Sequence, residues 1–461
     1  FLSYSNNLQV VRAANVSSAK NATTGTTNLL IKYKDDYNWN YSTLRTAANT
    51  AGMFAARYPG EIGNSLKVSV WTSSNVNAFK TWQYNGYFNG APGTSAFTAS
   101  RLGANDEMHI IVIDEDGRFS GVANTVLERY AYVSKASDAK NDDGSSNYWA
   151  QVISDKSEYI WAINNAINTS SQVVDTYSWG NTALGTTFSE LTGNGEYTAS
   201  LKNGIYAPPT DGDLISAYGQ FLNAEDVDVS LVISGPANST VNLAIINNLV
   251  GVRKDCISFH SPMFSDVVNN AGSEANACIT TRNTLPSTSY AVMDSQWKYQ
   301  FDKYNNVYRW VPVNADIAGL CARTDAERDA WWSPAGFNRG GLNDVVKLAW
   351  RPGQADRDNL YMNGINPVLT FKGEGPILYG DKTLQSKPSA FDRINVRRLF
   401  IVLEKAISKA AKYSLFEFND EFTRAQFVSM VEPYLRDIKG RRGIYDFRVV
   451  CDETNNTPEV I

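Results

Sequence analysis

The chain has 461 residues, 43% of them hydrophobic and 19% charged. That is an ordinary globular balance, with length for several domains of roughly 100–200 residues each. A formal net charge of −5 argues against a general nucleic-acid binder, which shows a basic balance. No apolar run approaches the ~20 residues of a membrane-spanning helix, and no signal-peptide pattern opens the chain. Phe1 in place of Met is read as the mark of a trimmed or processed chain.

Cys256, Cys278, Cys321 and Cys451 are scattered, with no Cys-x-x-Cys pair. Neither a zinc site nor a redox motif is suggested, and reduced thiols fit assembly in a reducing cytoplasm. The sequons at Asn15, Asn21, Asn168 and Asn238 are the chance yield of a chain rich in Asn, Ser and Thr.

In chain order, residues 8–14 predict a short strand, and residues 15–50 a polar loop or reduced insertion. Leu66–Trp71 alternates like a strand. Met108–Ile113 and Phe119–Leu127 predict a hairpin around Asp114-Glu-Asp-Gly117. That tetrapeptide opens like a calcium loop, but Phe119 and Thr125 stand where such a loop needs Gly and Glu. Ala136–Asn147 reads as a polar loop, Tyr148–Ser154 as a short helix and Tyr159–Ile163 as a strand. Residues 164–210 return to Gly/Asn/Thr-rich β material.

The texture changes at Pro208-Pro209. Asp211 is placed to cap a helix running to about Asn223. Val227–Ser234 is a near-continuous apolar strand of the parallel-sheet kind. Ser239–Arg253 reads as helix, and Cys256–His260 and Tyr290–Asp294 as strands, so an α/β layer is expected. Val345–Ala349 and Asp356–Asn363 extend it, and a strand–loop segment follows from Pro367.

Ser389 with Asp392 three residues on predicts a helix start. Val396, Leu399, Leu403, Ile407 and Ala410 then keep one helical face. Arg393, Arg397 and Arg398 crowd its first half with no acid between Asp392 and Glu404, against the helix dipole. Three guanidinium groups so placed suggest an anionic partner, most plausibly another subunit, against the alternative of a solvated face. Arg393 and Arg397 share a face, so at most two of the three can meet one flat partner. A second helix, Glu421–Leu435, should be weakened in its last turn by Pro433. After the basic turn at residues 439–443, Tyr445, Phe447, Val449 and Cys451 alternate with polar neighbours as a half-buried strand with an open edge.

No catalytic constellation stands out. His109 and His260 are the only histidines. Ser258 and Ser261 flank His260, and triads recur in any chain order, but no Gly-x-Ser-x-Gly elbow accompanies it. Phosphate-loop and His-Glu-x-x-His patterns are missing. Gly193-Asn-Gly195 starts like a dinucleotide fingerprint and lacks its third glycine. Trp297, Trp310, Trp331 and Trp332 with Tyr299, Tyr304 and Tyr308 make an aromatic-dense region, more in keeping with packing and subunit contacts than with a sugar platform.

Several longer motifs stand in a fixed order: Trp297-Lys-Tyr-Gln-Phe-Asp-Lys-Tyr-Asn-Asn306, Ala315-Asp-Ile-Ala-Gly-Leu-Cys-Ala-Arg-Thr-Asp325 and Ser333-Pro-Ala-Gly-Phe-Asn-Arg-Gly340. Leu378-Tyr-Gly-Asp-Lys-Thr383, Phe391-Asp-Arg-Ile-Asn-Val-Arg-Arg-Leu-Phe400 and Val449-Val-Cys-Asp-Glu-Thr-Asn-Asn-Thr-Pro458 follow. Together they resemble the contractile tail sheath proteins of T-even-type bacteriophages, densely over residues 290–461. Before that the match is sparser, at residues 8–13, 58–63 and 226–233.

The resemblance implies a structural polymer rather than an enzyme, with no cofactor and no metal. It implies a mixed α+β and α/β multi-domain fold, with a β-rich protruding domain inserted near the N-terminus. By analogy, residues 16–207 form that outer domain, residues 1–15 and 208–353 a middle α/β domain, and residues 354–461 an inner domain that looks truncated. The implied partners are further copies of the chain, the tail tube protein, and the baseplate and tail terminator proteins, with no direct nucleic acid and no membrane insertion. The implied location is the virion tail, after assembly in the host cytoplasm. Arg393, Arg397, Arg398, Tyr445, Phe447 and Val449 are the candidate interface residues. Other readings are the sheath of a phage-derived injection device, an α/β hydrolase-like enzyme centred on His260, and a glycan-binding tail module using residues 16–207.

Overall fold

The computed structural model describes residues 1–15, 17–41, 51–164, 178–191 and 195–456. Parts of the expected 15–50 loop and of the 164–210 β stretch, with Gly193-Asn194, lie outside the described residues. The chain forms two compact units, one of Ala13–Asp213 and one of Phe1–Arg12 with Leu214–Ile461.

In the Ala13–Asp213 unit, β1 (Phe54–Ala56) precedes β2 (Leu66–Trp71), β3 (Glu107–Asp114), β4 (Thr125–Ser134), β5 (Ile160–Ala162) and β6 (Glu196–Ser200). The main sheet is antiparallel in the order β4-β3-β2-β6, and β1 pairs with β5. Side-chain parity explains why β3 reads as a continuous apolar run. Met108, Ile110 and Val112 join Leu66, Val68 and Val70 in one core, with Trp149 and Phe54. Ile111 and Ile113 face the other way, onto Trp71, Phe79, Trp82 and Tyr84. An antiparallel sheet covered on both faces loses the alternation that one open face would impose.

The hairpin differs from expectation on one side, because β4 starts at Thr125 rather than Phe119. Asp114 is the reason: it accepts from Ser65 Oγ (2.7 Å), Phe119 N (2.9 Å) and Ser120 N (2.7 Å), folding residues 115–124 into a loop. The carboxylate is spent on backbone donors. The loop at residues 136–147 is likewise only partly free. Ala136 and Ala139 are buried with Phe188, leaving the tip at residues 141–145 exposed. The expected short helix is present as α1 (Trp149–Lys156).

In the other unit, β7 (Leu231–Ile233), β8 (Ile257–His260) and β9 (Ala291–Asp294) run parallel. β10 (Trp297–Asp302) and β11 (Val307–Pro312) form an antiparallel hairpin, to which β12 (Lys347–Leu348) adds through β10. β13 (Ile365–Asn366) pairs with β9 in parallel, giving the sheet order β13-β9-β8-β7. β14 (Val368–Phe371) and β15 (Gly375–Leu378) close a small hairpin. Around these stand α2 (Asn314–Glu327), α3 (Gln354–Met362), α4 (Ile394–Ala411) and α5 (Glu421–Gly440). The helix expected over 239–253 is present, with Asn238 accepting from Val241 N (3.0 Å) at its start and π-helical turns over Ile245–Val250. No described helix is long and apolar enough to cross a membrane.

Three expectations need correction. Residues 8–14 are not in a strand. Ser389 caps a single 3-10 turn, and α4 itself begins at Ile394 behind Arg393. The second helix is longer than the expected Glu421–Leu435, because α5 runs on past Pro433 to Gly440. Val431, Leu435 and Ile438 pack on Leu399 and Leu403 of α4 on both sides of the proline. That burial offsets the one hydrogen bond that proline removes.

Candidate assembly surface

The three arginines of α4 part company in the structure. Arg397 sits between the rings of Tyr290 and Phe391, 4.3 and 4.0 Å from their centroids. Its Nε donates to Ser289 Oγ (3.0 Å) and its Nη1 to Tyr290 Oη (3.2 Å). Arg398 is buried, donating to the Cys321 carbonyl (3.5 Å) and forming an ion pair with Asp325. Both guanidinium groups are thus satisfied inside their own unit. Aromatic faces and a carboxylate at close range outcompete water for them. Arg393 keeps an exposed fraction of 37% and lies 3.5 Å from Asp381 and from Asp392. It also donates to Tyr361 Oη, and of the three it is the most exposed.

The segment after α5 is not the expected strand. Residues 444–450 form no backbone–backbone hydrogen bond to any described residue. Tyr445 is fully exposed. Phe447 and Val449 are half-buried on the α4–α5 pair, beside Ile444. The alternation of residues 447–451 is therefore real as in-and-out burial. Without a neighbouring strand among the described residues, however, the ladder does not form, and Val450 O accepts from Asn455 Nδ2 (2.8 Å) instead.

The turn joining α4 to α5 is a surface that helical periodicity did not single out. Tyr413, Leu415, Phe416, Phe418 and Phe422 are all exposed. The signal available in the sequence was their density: five large apolar residues within ten positions, with no helical or strand period to bury them. The aromatic-dense region packs only in part, since Tyr304 and Tyr308 are exposed. Tyr299 lies 5.5 Å from Tyr308 and 5.0 Å from Trp310 across the β10–β11 hairpin. Trp297 is buried and donates to the Pro262 carbonyl (2.8 Å).

His260 heads a chain of contacts that looks like a triad on paper. Its Nδ1 is 2.8 Å from Asn242 Oδ1 and its Nε2 2.8 Å from Ser258 Oγ. Asn242 Nδ2 donates to the Ala237 carbonyl (3.1 Å), so Oδ1 faces the ring and Nδ1 carries the proton. All three residues are buried. Burial holds the imidazole down to about 3, too weak a base at neutral pH. His109 is buried too and held down to about 4, with Gly90 O 2.9 Å from its Nε2. Among the described residues no three His, Cys, Asp or Glu side chains are placed to hold a metal ion.

Against known proteins, the phage tail sheath protein central domain matches residues 210–384, and the phage tail sheath C-terminal domain matches residues 386–460. A tail sheath protein of Vibrio phage KVP40 is 51% identical over 253 residues, 50% of this chain and 38% of that protein. A tail sheath protein of Salmonella phage ViI is 32% identical over 532 residues, covering 100% of this chain and 81% of that protein. The crystal structure of a sheath tail protein from Listeria innocua covers 93% of this chain and 73% of its own, at 12% identity and a TM-score of 0.51. At that identity the likeness concerns the fold alone, a mixed α/β architecture. The chain aligns with well under half of the Vibrio protein's length. With two domain matches in order and a relative aligned along its whole length, the chain belongs to the phage tail sheath protein family.

Proposed function

We propose that this chain is a structural subunit of a bacteriophage contractile tail sheath. In this reading it polymerises around the tail tube and then shortens, driving the tube through the host envelope for genome delivery. The observation that carries it is the alignment with the ViI tail sheath protein over 100% of this chain. The surface chemistry is consistent: a segment outside any strand at residues 444–450 and an exposed aromatic turn suit protein contacts. A bistable packing of subunits stores the work, and no nucleotide is required for the step.

Within this reading, residues 16–207 project outward, residues 1–15 with 208–353 form the middle layer, and residues 354–461 face the tube. The partners are further copies of the chain, the tube protein, and the baseplate and terminator proteins, met during assembly in the host cytoplasm. In this reading Arg393 and Tyr445 contribute to the interface, and both keep exposed surface. The test is negative-stain imaging of the full-length chain over a range of concentrations. Tubes or rings are expected, and a chain that stays monomeric throughout would sink the reading.

A further inference from the structure

The Ala13–Asp213 unit carries a cavity of about 510 Å³ between the end of β1, the loop after β3 and the turn from α1 to β5. Small-molecule sites run from about 300 to 1,000 Å³. Tyr58, Phe119 and Tyr159 line it, and Tyr58 (54%) and Phe119 (36%) keep exposed surface. Phe119 meets Tyr159 edge to face at 5.3 Å. Both rings stand on backbone that is already satisfied. Phe119 N donates to the buried Asp114 carboxylate (2.9 Å). Tyr159 N donates to Ser157 Oγ (3.2 Å), which itself donates to Glu128 Oε2 (2.7 Å). The rings are thus fixed before any ligand arrives, and little ordering entropy is left to lose on binding.

The polar part of the lining is prepared in the same way. Arg57 stacks on Trp161, its Cζ 3.9 Å from the ring centroid, and its Nη1 donates to Ser157 O (2.5 Å). Its Nε and Nη2 make no hydrogen bond among the described residues. Lys156 and Glu158 are exposed, and neither is in an ion pair among the described residues. Asp155, by contrast, spends its oxygens on Lys34 (3.1 Å) and Gln151 (2.8 Å). Burial, with the Glu158 carboxylate nearby, holds the Tyr159 phenol above its ordinary value. Two bases, Arg57 and Lys156, and two acids, Asp155 and Glu158, share the lining, so neither an anion nor a cation is favoured. Main-chain donors at the rim are spent, with Arg57 N on Tyr159 O (2.7 Å) and Ala56 N on Ala22 O (2.7 Å). An extended peptide finds no ladder to join at these residues.

We propose that this cavity is a saccharide-binding site, taking a neutral pyranose between the rings of Tyr58, Phe119 and Tyr159 and the polar groups of Arg57, Lys156 and Glu158. A pyranose presents C–H groups on its faces and hydroxyls around its rim. Each hydroxyl donates one hydrogen bond and accepts two. The aromatic rings cover the C–H faces. Glu158 accepts from hydroxyls, and Arg57 and Lys156 donate to them. Hydrogen bonds to charged groups are the stronger kind, and here both signs are present and unspent. The ligand that uses them together carries donors and acceptors side by side and no net charge. The sheath reading above makes no use of these groups, so the two functions stand or fall separately.

The test is saturation-transfer NMR on the full-length chain with the methyl glycosides of glucose, galactose, N-acetylglucosamine and rhamnose, which differ in ring stereochemistry and substituents. Each is titrated for affinity, and circular dichroism checks the folding of every variant. At least one glycoside is expected to receive saturation at its ring C–H protons. Phe119→Ala and Glu158→Ala should each weaken its binding about tenfold or more. Phe416→Ser, at an exposed ring that does not line the cavity, should leave binding unchanged. If Phe119→Ala does not fold, Glu158→Ala, at an exposed position, decides alone. Transfer to none of the four glycosides would overturn the site. A glycoside bound equally by the wild type and the cavity variants, or lost in Phe416→Ser alone, would do the same, because it then sits elsewhere. N-acetyl-trialanine amide is the peptide control. If it displaces the glycoside at lower concentration than the free sugar does, the cavity takes peptide and the saccharide assignment fails.

Discussion

Gly319, in the middle of α2, shows how one side chain fixes another. A Cβ there would lie 2.4 Å from Cδ2 of Tyr4. Tyr4 donates to Asp316 Oδ1 (3.0 Å) and accepts from Asn343 N (2.7 Å), so its ring cannot retreat without losing both bonds. Gly319→Ala is expected to destabilise by about 1–3 kcal/mol, the usual cost of overpacking. In a Tyr4→Ala background the same change should become neutral or stabilising, because alanine then adds its helix propensity of about 1 kcal/mol. A double-mutant cycle by urea denaturation checks this, and equal costs in both backgrounds would place Tyr4 elsewhere.

At the scale of elements, α4 decides which arginines can be tested on assembly. Arg398 is buried against Asp325 and Cys321, and Arg397 against two rings. Removing a buried partner leaves unmet charge or cavity, at about 3–5 kcal/mol for an ion pair and less where one side meets water. Arg398→Ala should therefore lower the melting temperature of the isolated chain by several degrees, and Arg397→Ala by less. Arg393→Glu should lower it by less than Arg398→Ala, since Arg393 is more exposed, although it gives up Asp381, Asp392 and Tyr361 as partners. Any assembly defect of Arg393→Glu then reports on an interface. A melting temperature that falls as far for Arg393→Glu as for Arg398→Ala would contradict this division.

For the molecule as a whole, buried titratable groups set opposing pH trends. His109 and His260 are held below their ordinary value. Stability from them is complete above about 6.5 and is lost as pH falls toward about 4. Asp294 is buried at the end of β9, with Ser261 Oγ donating to it (2.6 Å), and burial pushes its carboxyl up to about 8. The folded state binds this proton more tightly than the unfolded one. Its contribution is therefore complete below about 4 and is lost as pH rises toward about 8. Between pH 6.5 and 8 the histidines are flat and Asp294 slopes downward, while burial of the Phe1 amine and of Lys135, held down to about 8, slopes the other way. Thermal melts over that window should show stability falling less steeply, or rising more, with pH in Asp294→Asn than in the wild type. An unchanged slope in the variant would show that Asp294 is ionised throughout.

Local pattern was enough for elements whose neighbours lie nearby or whose apolar period is strong. Leu66–Trp71, the helix over 239–253, the strands at 257–260 and 291–294, and the faces of α4 and α5 were all legible. The motifs of residues 290–461 also carried the family. Strand status at residues 8–14 and 445–451 was not legible, because a strand exists only when a second strand supplies its hydrogen bonds. Nor was the fate of the arginines. Helical spacing places Arg397 and Arg398 about 100° apart, but it does not say that Tyr290, Phe391 and Asp325 wait at both azimuths. Those partners arrive from the turn before β9, the 3-10 turn and α2, at separations of 6 to 107 residues. The sequence determined which side chains were available to bury or to charge a surface. The tertiary structure decided which of them met a partner, since desolvation and pairing depend on distances that only the folded chain sets.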